Sequence, residues 1–240
     1  MSPLQPSPYG LLLLAGIGVS LWLWTRLARR EDRLLLVYIG GLCGAFLGAK
    51  IVYLLAEGWL HFGKEDMWLQ LATGKTIVGA LLGGYAGVEL SKHFIGYQAA
   101  TGDWFAIVAP VGIMLGRVGC LLQGCCLGSV CEPAWYSLKD HAGIDRWPAV
   151  PLELAFNFLF LLVVLLVLRP RRLLPGQHFH IYLIAYGLFR LAHEAVRDTP
   201  KVFGPLSGYQ LTALALVVLG VARFQQRRQT GRNSTPHTAS

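Results

Sequence analysis

The stretch LELAFNFLFLLVVLLVL, residues 152–168, decides how the chain is to be read. A helix of that length rises about 25 Å, close to the roughly 30 Å of hydrocarbon that a membrane helix must cross. A second run, LSGYQLTALALVVLGV at 206–221, is of the same kind. The composition agrees: 54% of the 240 residues are hydrophobic and only 14% are charged, far from the usual soluble mix. The bilayer is therefore the solvent. A net charge of +8 would suit nucleic acid, but the basic residues fall in short connections and tails rather than along one basic and aromatic face. The membrane is the expected partner, and nucleic acid is not. The first apolar run has no basic residue before it and no small-residue cleavage site, so no cleavable signal peptide is expected.

Spans are predicted near residues 9–25, 34–56, 76–90, 103–123, 150–168, 179–196 and 207–224. The third carries Gly79, Gly83, Gly84 and Gly87, a pattern that weakens a soluble helix but lets membrane helices approach closely. Lys and Arg segregate across alternate connections. Twelve lie after spans one, three, five and seven, among them Arg26, Arg33, Lys92, Arg169, Arg223 and Arg227; five, Lys64, Lys75, Lys139, Arg146 and Lys201, lie on the other side. The fold class expected is an all-α membrane protein of seven transmembrane helices, N-terminus periplasmic and C-terminus cytoplasmic, in a bacterial inner membrane. Residues 1–224 form the transmembrane domain. Residues 225–240, rich in Gln, Arg, Ser and Thr, are expected to be a disordered basic tail.

Lys50, Arg117, Arg190 and Arg197 belong to no connection. A charge at membrane depth costs on the order of 3 kcal/mol and normally marks function. Snorkelling from a helix end accounts for Arg197, and Lys50 fits either reading. Tyr186, Arg190 and Glu194 stand four residues apart on one helical stripe, so the carboxylate can hold the guanidinium with the phenol beside it. His193 points away from this stripe and reads as a packed histidine. Two arginines at depth point to a phosphate headgroup, which a guanidinium fork binds well.

The other focus is Gly116-Arg117-Val118-Gly119-Cys120-Leu121-Leu122-Gln123-Gly124-Cys125-Cys126-Leu127-Gly128. Its glycines permit a break from helix, which at membrane depth is tolerated where backbone lines a cavity or is buried. Cys120, Cys125, Cys126 and Cys131 follow a C-x4-C-C-x4-C pattern, with Cys43 alone in span two. A disulfide in an oxidising outer compartment, metal ligation and free thiols are all open readings, though the spacing is no standard zinc pattern. Neither a cofactor nor a metal is assigned.

With these residues in place, the chain resembles the prolipoprotein diacylglyceryl transferase family along nearly its whole length. Gly116, Arg117, Gly119, Gly124 and Gly128 match the family's glycine and arginine signature. Tyr186 to Arg190, with Glu194 and Arg197, match its late helix. The segment Leu47-Gly48-Ala49-Lys50-Ile51-Val52-Tyr53 is similar to another of its segments; Arg146, Pro148 and Glu153 fit a third, and Tyr9 stands for the tyrosine of its first helix. The departures are local. Cys120 replaces the signature's asparagine, Cys125 its acidic residue and Ser129 its last arginine. Val78 stands for the histidine of the span-three segment, Trp147 for the histidine after Arg146, and Val150 and Leu152 for a glutamine and a tyrosine.

The resemblance implies a transferase that moves a diacylglyceryl group from phosphatidylglycerol, or a related phospholipid, to the thiol of a lipobox-containing prolipoprotein, forming a thioether. It implies that Arg117, Arg190, Tyr186 and Glu194 carry the reaction, with Tyr9, Lys50, Gly119, Cys120, Gly124, Cys125, Gly128, Arg146 and Glu153 around the substrate. Two other readings stand beside it: a divergent thiol-dependent transferase or redox enzyme using Cys120, Cys125 and Cys126, and a non-catalytic lipid-binding membrane protein.

Overall fold

A computed structural model describes residues 8–27, 32–65, 67–202 and 204–233; the side chains of 8, 9, 13, 32 and 230–233 are outside what it describes. Helices α1 (Pro8–Leu27) and α2 (Asp32–Ala56) are followed by a short α3 (Met67–Thr73) and by α4 (Ile77–Phe94) and α5 (Gly102–Leu122). A two-stranded antiparallel ribbon, β1 (Leu138–Lys139) and β2 (Asp145–Arg146), precedes α6 (Ala149–Val163), which continues as a π-turn to Leu168. Then come α7 (His178–His193), a 3-10 turn (Glu194–Val196) and α8 (Gly208–Asn233). The ribbon and α3 are additions to the expected purely helical spans.

Five helices, α1, α2, α5, α6 with its π-turn, and α8, are long and apolar enough to cross a membrane. Large apolar side chains face outward on them, with Leu14, Leu47, Leu55, Leu166 and Val218 each more than half exposed. That surface suits lipid rather than water. The protein is a multi-pass helical membrane protein. Helices also occupy the two other predicted spans. α4 falls short on hydropathy because Glu89, Lys92 and His93 crowd its last turns, and α7 is 16 residues long and carries His178, His180, Arg190 and His193.

The glycines of α4 do what their spacing predicts. A Cβ on Gly83 would lie 2.2 Å from the Gly44 carbonyl oxygen, and one on Gly79 would lie 2.4 Å from that of Gly48. α2 and α4 thus touch backbone to backbone. The Thr76 hydroxyl accepts from Gly79 N–H at 3.2 Å and starts α4 at the position the sequence marks. α7 lies on α8, α1 on α5, and α6 joins α5 and α7. The core at their junction is aromatic, with Phe160, Phe179, Tyr182 and Tyr186 packed on Leu183, Ala213 and Leu216.

One expectation moves. α8 does not end near Phe224 but runs to Asn233, because its Gln and Arg residues propagate a helix already begun. The expected disordered tail therefore loses its first nine residues to helix, and 234–240 lie outside the described residues.

Candidate active site

The C-terminal ends of α5 and α7 and the N-terminal ends of α6 and α8 meet at one end of the bundle. Residues 123–148 fold over them. Gly128 pairs with Arg197 in an antiparallel bridge, and Ser129 N–H bonds to the Val196 carbonyl at 2.9 Å. A Cβ on Gly128 would sit 2.4 Å from that carbonyl and 2.6 Å from Trp147 Cβ, so only glycine lets the loop lie on the end of α7.

Beneath the loop are two linked ion pairs. Arg117 Nη2 of α5 lies 2.8 Å from Glu153 Oε2 of α6, and Tyr186 of α7 donates its hydroxyl to Glu153 Oε1 at 2.7 Å. Arg190 Nη2 lies 3.0 Å from Glu194 Oε2, the i to i+4 contact the stripe predicts. Glu194 Oε1 accepts from Thr199 Oγ1 at 2.6 Å and Ser207 Oγ at 2.9 Å. Both carboxylates are fully buried, and Arg117 and Arg190 are 8% and 5% exposed. The fields of Arg190 and Arg197 reach Glu153 as well as that of Arg117, so the pairs form one electrostatic unit.

Several expectations are corrected here. Tyr186 serves Glu153, not Arg190, because α6 brings that carboxylate onto its face of α7. His193 does not point away: Arg190 Nη1 donates to its Nδ1 at 2.9 Å, and its Nε2 then carries the proton given to the Ala149 carbonyl at 2.8 Å. Both ring nitrogens are engaged, which leaves a neutral, packed imidazole. Arg197 does not snorkel; its side chain is 17% exposed, with Nε 4.0 Å from Glu194 Oε2. Among the described residues, Arg197 Nε and Nη1 and Arg117 Nε are buried donors without a hydrogen-bond partner.

Lys50 stands apart from the arginines. It donates to the carbonyls of Leu71, Ala72 (2.9 Å) and Gly74 (3.0 Å), which caps the C-terminal end of α3. Arg146 also lies outside the buried unit. Its Nε meets Asp140 Oδ2 at 2.7 Å, and its Nη1 reaches the Gly128 carbonyl at 3.4 Å and Asp198 at 3.6 Å, clamping the ribbon to the segment after α7. Hydrogen bonds from Arg146 and from the Ile144 amide hold the Asp140 carboxyl below the usual range. Gly119 is buried within α5, and Gly124, at φ +61°, ends that helix against His141. Tyr9 is in the first turn of α1, and its side chain lies outside the described residues. The five cysteines are free, and Cys120, Cys125 and Cys126 converge while Cys131 does not join them.

A buried ion pair alone is no gain over well-packed apolar residues, and each unpaired buried donor costs about 1–3 kcal/mol. Three guanidinium groups beside two carboxylates, with donors to spare, therefore make a site suited to an anion. A profile of the prolipoprotein diacylglyceryl transferases matches residues 1–225. The chain belongs to that family. Relatives named phosphatidylglycerol–prolipoprotein diacylglyceryl transferase include one from Dehalococcoides mccartyi, 27% identical over 96% of this chain and 92% of its own. One from Vibrio atlanticus is 27% identical over 92% of this chain and 86% of its own. The family match spans every helix that contributes to the buried ion pairs.

Proposed function

We propose that this chain is a bacterial inner-membrane transferase with seven spans that moves the diacylglyceryl group of phosphatidylglycerol to a cysteine thiol of a prolipoprotein. The segregation of twelve Lys and Arg from five supports an N-terminus outside and a cytoplasmic C-terminus. The ion-pair end of the bundle then faces the periplasm, where a lipobox cysteine is presented.

The observation that carries the reading is the group of three arginines, two buried and Arg197 partly so, in which Arg117 and Arg197 keep buried N–H donors without a hydrogen-bond partner among the described residues. A phosphodiester accepts from such donors, and the charge that grows on its oxygen as the glyceryl carbon–oxygen bond breaks is met by guanidinium groups already in place. Arg117, Arg190 and Arg197 take the phosphate. Glu194, fixed by Ser207 and Thr199, orients Arg190; Tyr186 fixes Glu153 and through it Arg117. Gly128 lets the loop backbone lie on the end of α7 beside the site, Gly119 and Gly124 stand in and just after the last turn of α5, and Lys50 and Arg146 hold the surrounding segments. The thiolate attacks the glyceryl carbon, glycerol phosphate leaves and a thioether forms.

Purified protein mixed with phosphatidylglycerol vesicles and a lipobox peptide releases soluble glycerol phosphate on this account, and phosphatidylcholine vesicles give none. No release under conditions in which an authentic relative turns over overturns the proposal.

A further inference from the structure

The C-x4-C-C spacing encodes a helix end. Gly124 takes the left-handed position after the last turn of α5, at φ +61°. Its N–H bonds to the Leu121 carbonyl at 3.1 Å, and the Cys125 N–H reaches back to the Cys120 carbonyl at 3.0 Å. This pair of bonds is a Schellman motif, which sets the side chains at its two outer positions against each other. Here those side chains are Cys120 and Cys125. Cys126 follows, also left-handed at φ +61°, a conformation costing a non-glycine residue about 1–2 kcal/mol. It returns the third thiol to the other two, and the three Sγ atoms all lie within 4.8 Å of one another. Exposure rises from buried Cys120 through Cys125 to exposed Cys126, so the cluster opens on one side. Among the described residues, no fourth cysteine, histidine or carboxylate joins it.

We propose that Cys120, Cys125 and Cys126 hold one thiophilic divalent ion, of the kind typified by Zn2+, in a three-sulfur set whose open fourth position takes the acceptor thiol. The metal site stands on the geometry alone; the role of its fourth position rests on the transferase reading. Tetrahedral zinc at about 2.3 Å from sulfur needs sulfurs about 3.8 Å apart, so the thiols close by about 1 Å at most. Three protein ligands and one open position are the arrangement of catalytic rather than structural sites. A divalent ion on three thiolates carries one negative charge. Arg117, whose Nη1 lies 3.9 Å from Cys120 Sγ, is placed to meet that charge as well as the phosphate it shares with Arg190 and Arg197.

The site supplies what the buried ion pairs lack. His193 has no free nitrogen, and Glu153 and Glu194 are committed to arginines, so none of these three buried groups is free to take the acceptor's proton. A thiol that coordinates such an ion is deprotonated outright. The acceptor S–H proton passes to solvent, its sulfur attacks the glyceryl carbon, and the carbon–oxygen bond breaks with its electron pair going to the phosphate oxygen. Thioether and glycerol phosphate result without any change of oxidation state.

The test uses the full chain in detergent, reduced, stripped of metal and titrated anaerobically with Co2+. One ion per chain with sulfur-to-cobalt charge-transfer absorption is expected, at least about tenfold weaker in Cys120→Ser, Cys125→Ser and Cys126→Ser and unchanged in Cys43→Ser and Cys131→Ser. A cysteine-containing lipobox peptide shifts the spectrum, and its serine counterpart does not. Absence of the charge-transfer band, or full binding in the Cys126→Ser protein, overturns the site. Undiminished transfer by metal-free protein overturns the role of the fourth position and leaves the transferase reading standing. Thiol-sensitive cobalt binding with no transfer from phosphatidylglycerol removes the transferase reading and supports the metal site.

Discussion

Replacing Glu153 by glutamine separates what the buried ion pair does for stability from what it does for function. The carboxylate is 0% exposed, with Arg117 at 2.8 Å on one oxygen and the Tyr186 hydroxyl at 2.7 Å on the other. Glutamine keeps the shape and an oxygen for Tyr186 but removes the charge. Arg117 is then left without a counter-charge in a site it shares with Arg190 and Arg197. Two unit charges about 4 Å apart interact by about 4 kcal/mol at an effective dielectric of 20, and breaking a buried pair costs about 3–5 kcal/mol. The Glu153→Gln protein should lose about 3 kcal/mol of stability in a reversible unfolding titration in mixed detergent. Arg117→Met alone strands Glu153 and should cost about the same. The double variant strands neither charge and should lose only about 1 kcal/mol, far less than the sum of the two. All three proteins should fail to release glycerol phosphate. A Glu153→Gln protein within about 0.5 kcal/mol of the parent, or singles whose costs simply add, would mean that Glu153 and Arg117 do not form a coupled buried pair.

The α2–α4 contact gives a neighbouring pair with opposite outcomes. Gly83→Ala, whose Cβ would lie 2.2 Å from the Gly44 carbonyl oxygen, should cost about 1–3 kcal/mol. Gly84→Ala, whose Cβ comes no closer than 3.4 Å to Ala45 Cβ and 3.5 Å to the Gly41 carbonyl oxygen, should leave the melting temperature nearly unchanged. Because Arg197 Nε and Nη1 have no hydrogen-bond partner among the described residues, Arg197→Gln should raise KM for phosphatidylglycerol about tenfold at little cost in stability. A large drop in melting temperature with KM unchanged would make that arginine structural. Asp140, whose folded-state pKa is depressed chiefly by Arg146, holds the ribbon above the ordinary carboxylate pKa of about 4, and its contribution is lost as pH falls through the lower folded value. Hydrogen exchange at the Ala142 and Ile144 amides, which donate to Asp140 Oδ1 at 2.9 and 3.0 Å, should lose protection below about pH 4. Equal protection at pH 3 and pH 6 would rule that out.

Much of the architecture was legible because membrane helices announce themselves by length and hydrophobicity. The run at 152–168 became α6 and its π-turn, and the glycines of the third predicted span became the surface on which α2 lies. Contacts within one helix were legible for the same reason: Arg190 and Glu194 are a turn apart and pair as their spacing requires. The pairing of Arg117 with Glu153 was not, since it joins two helices and depends on how they pack. The contacts of Lys50 were not legible because its partners are backbone carbonyls at the end of α3, and a carbonyl leaves no mark on sequence. Arg197 was misjudged because burial under the loop at 128–129 is a tertiary fact. The cysteine cluster had a readable signal, a glycine four residues after the first cysteine and directly before the second. That pattern marks a Schellman helix end, whereas the spacing of the cysteines left a disulfide, metal ligation and free thiols all open.

At the buried arginines a lipid's glyceryl carbon is transferred to sulfur on this reading. Phosphatidylglycerol carrying deuterated acyl chains, incubated with the purified protein and a lipobox peptide, tests it through the mass and linkage of the peptide product. A labelled diacylglyceryl group is expected on the peptide's cysteine, stable to hydroxylamine as a thioether must be, and absent when Arg117 or Arg190 is replaced by lysine. An unmodified peptide, a hydroxylamine-labile acyl adduct, or full product from the Arg190→Lys protein would contradict it.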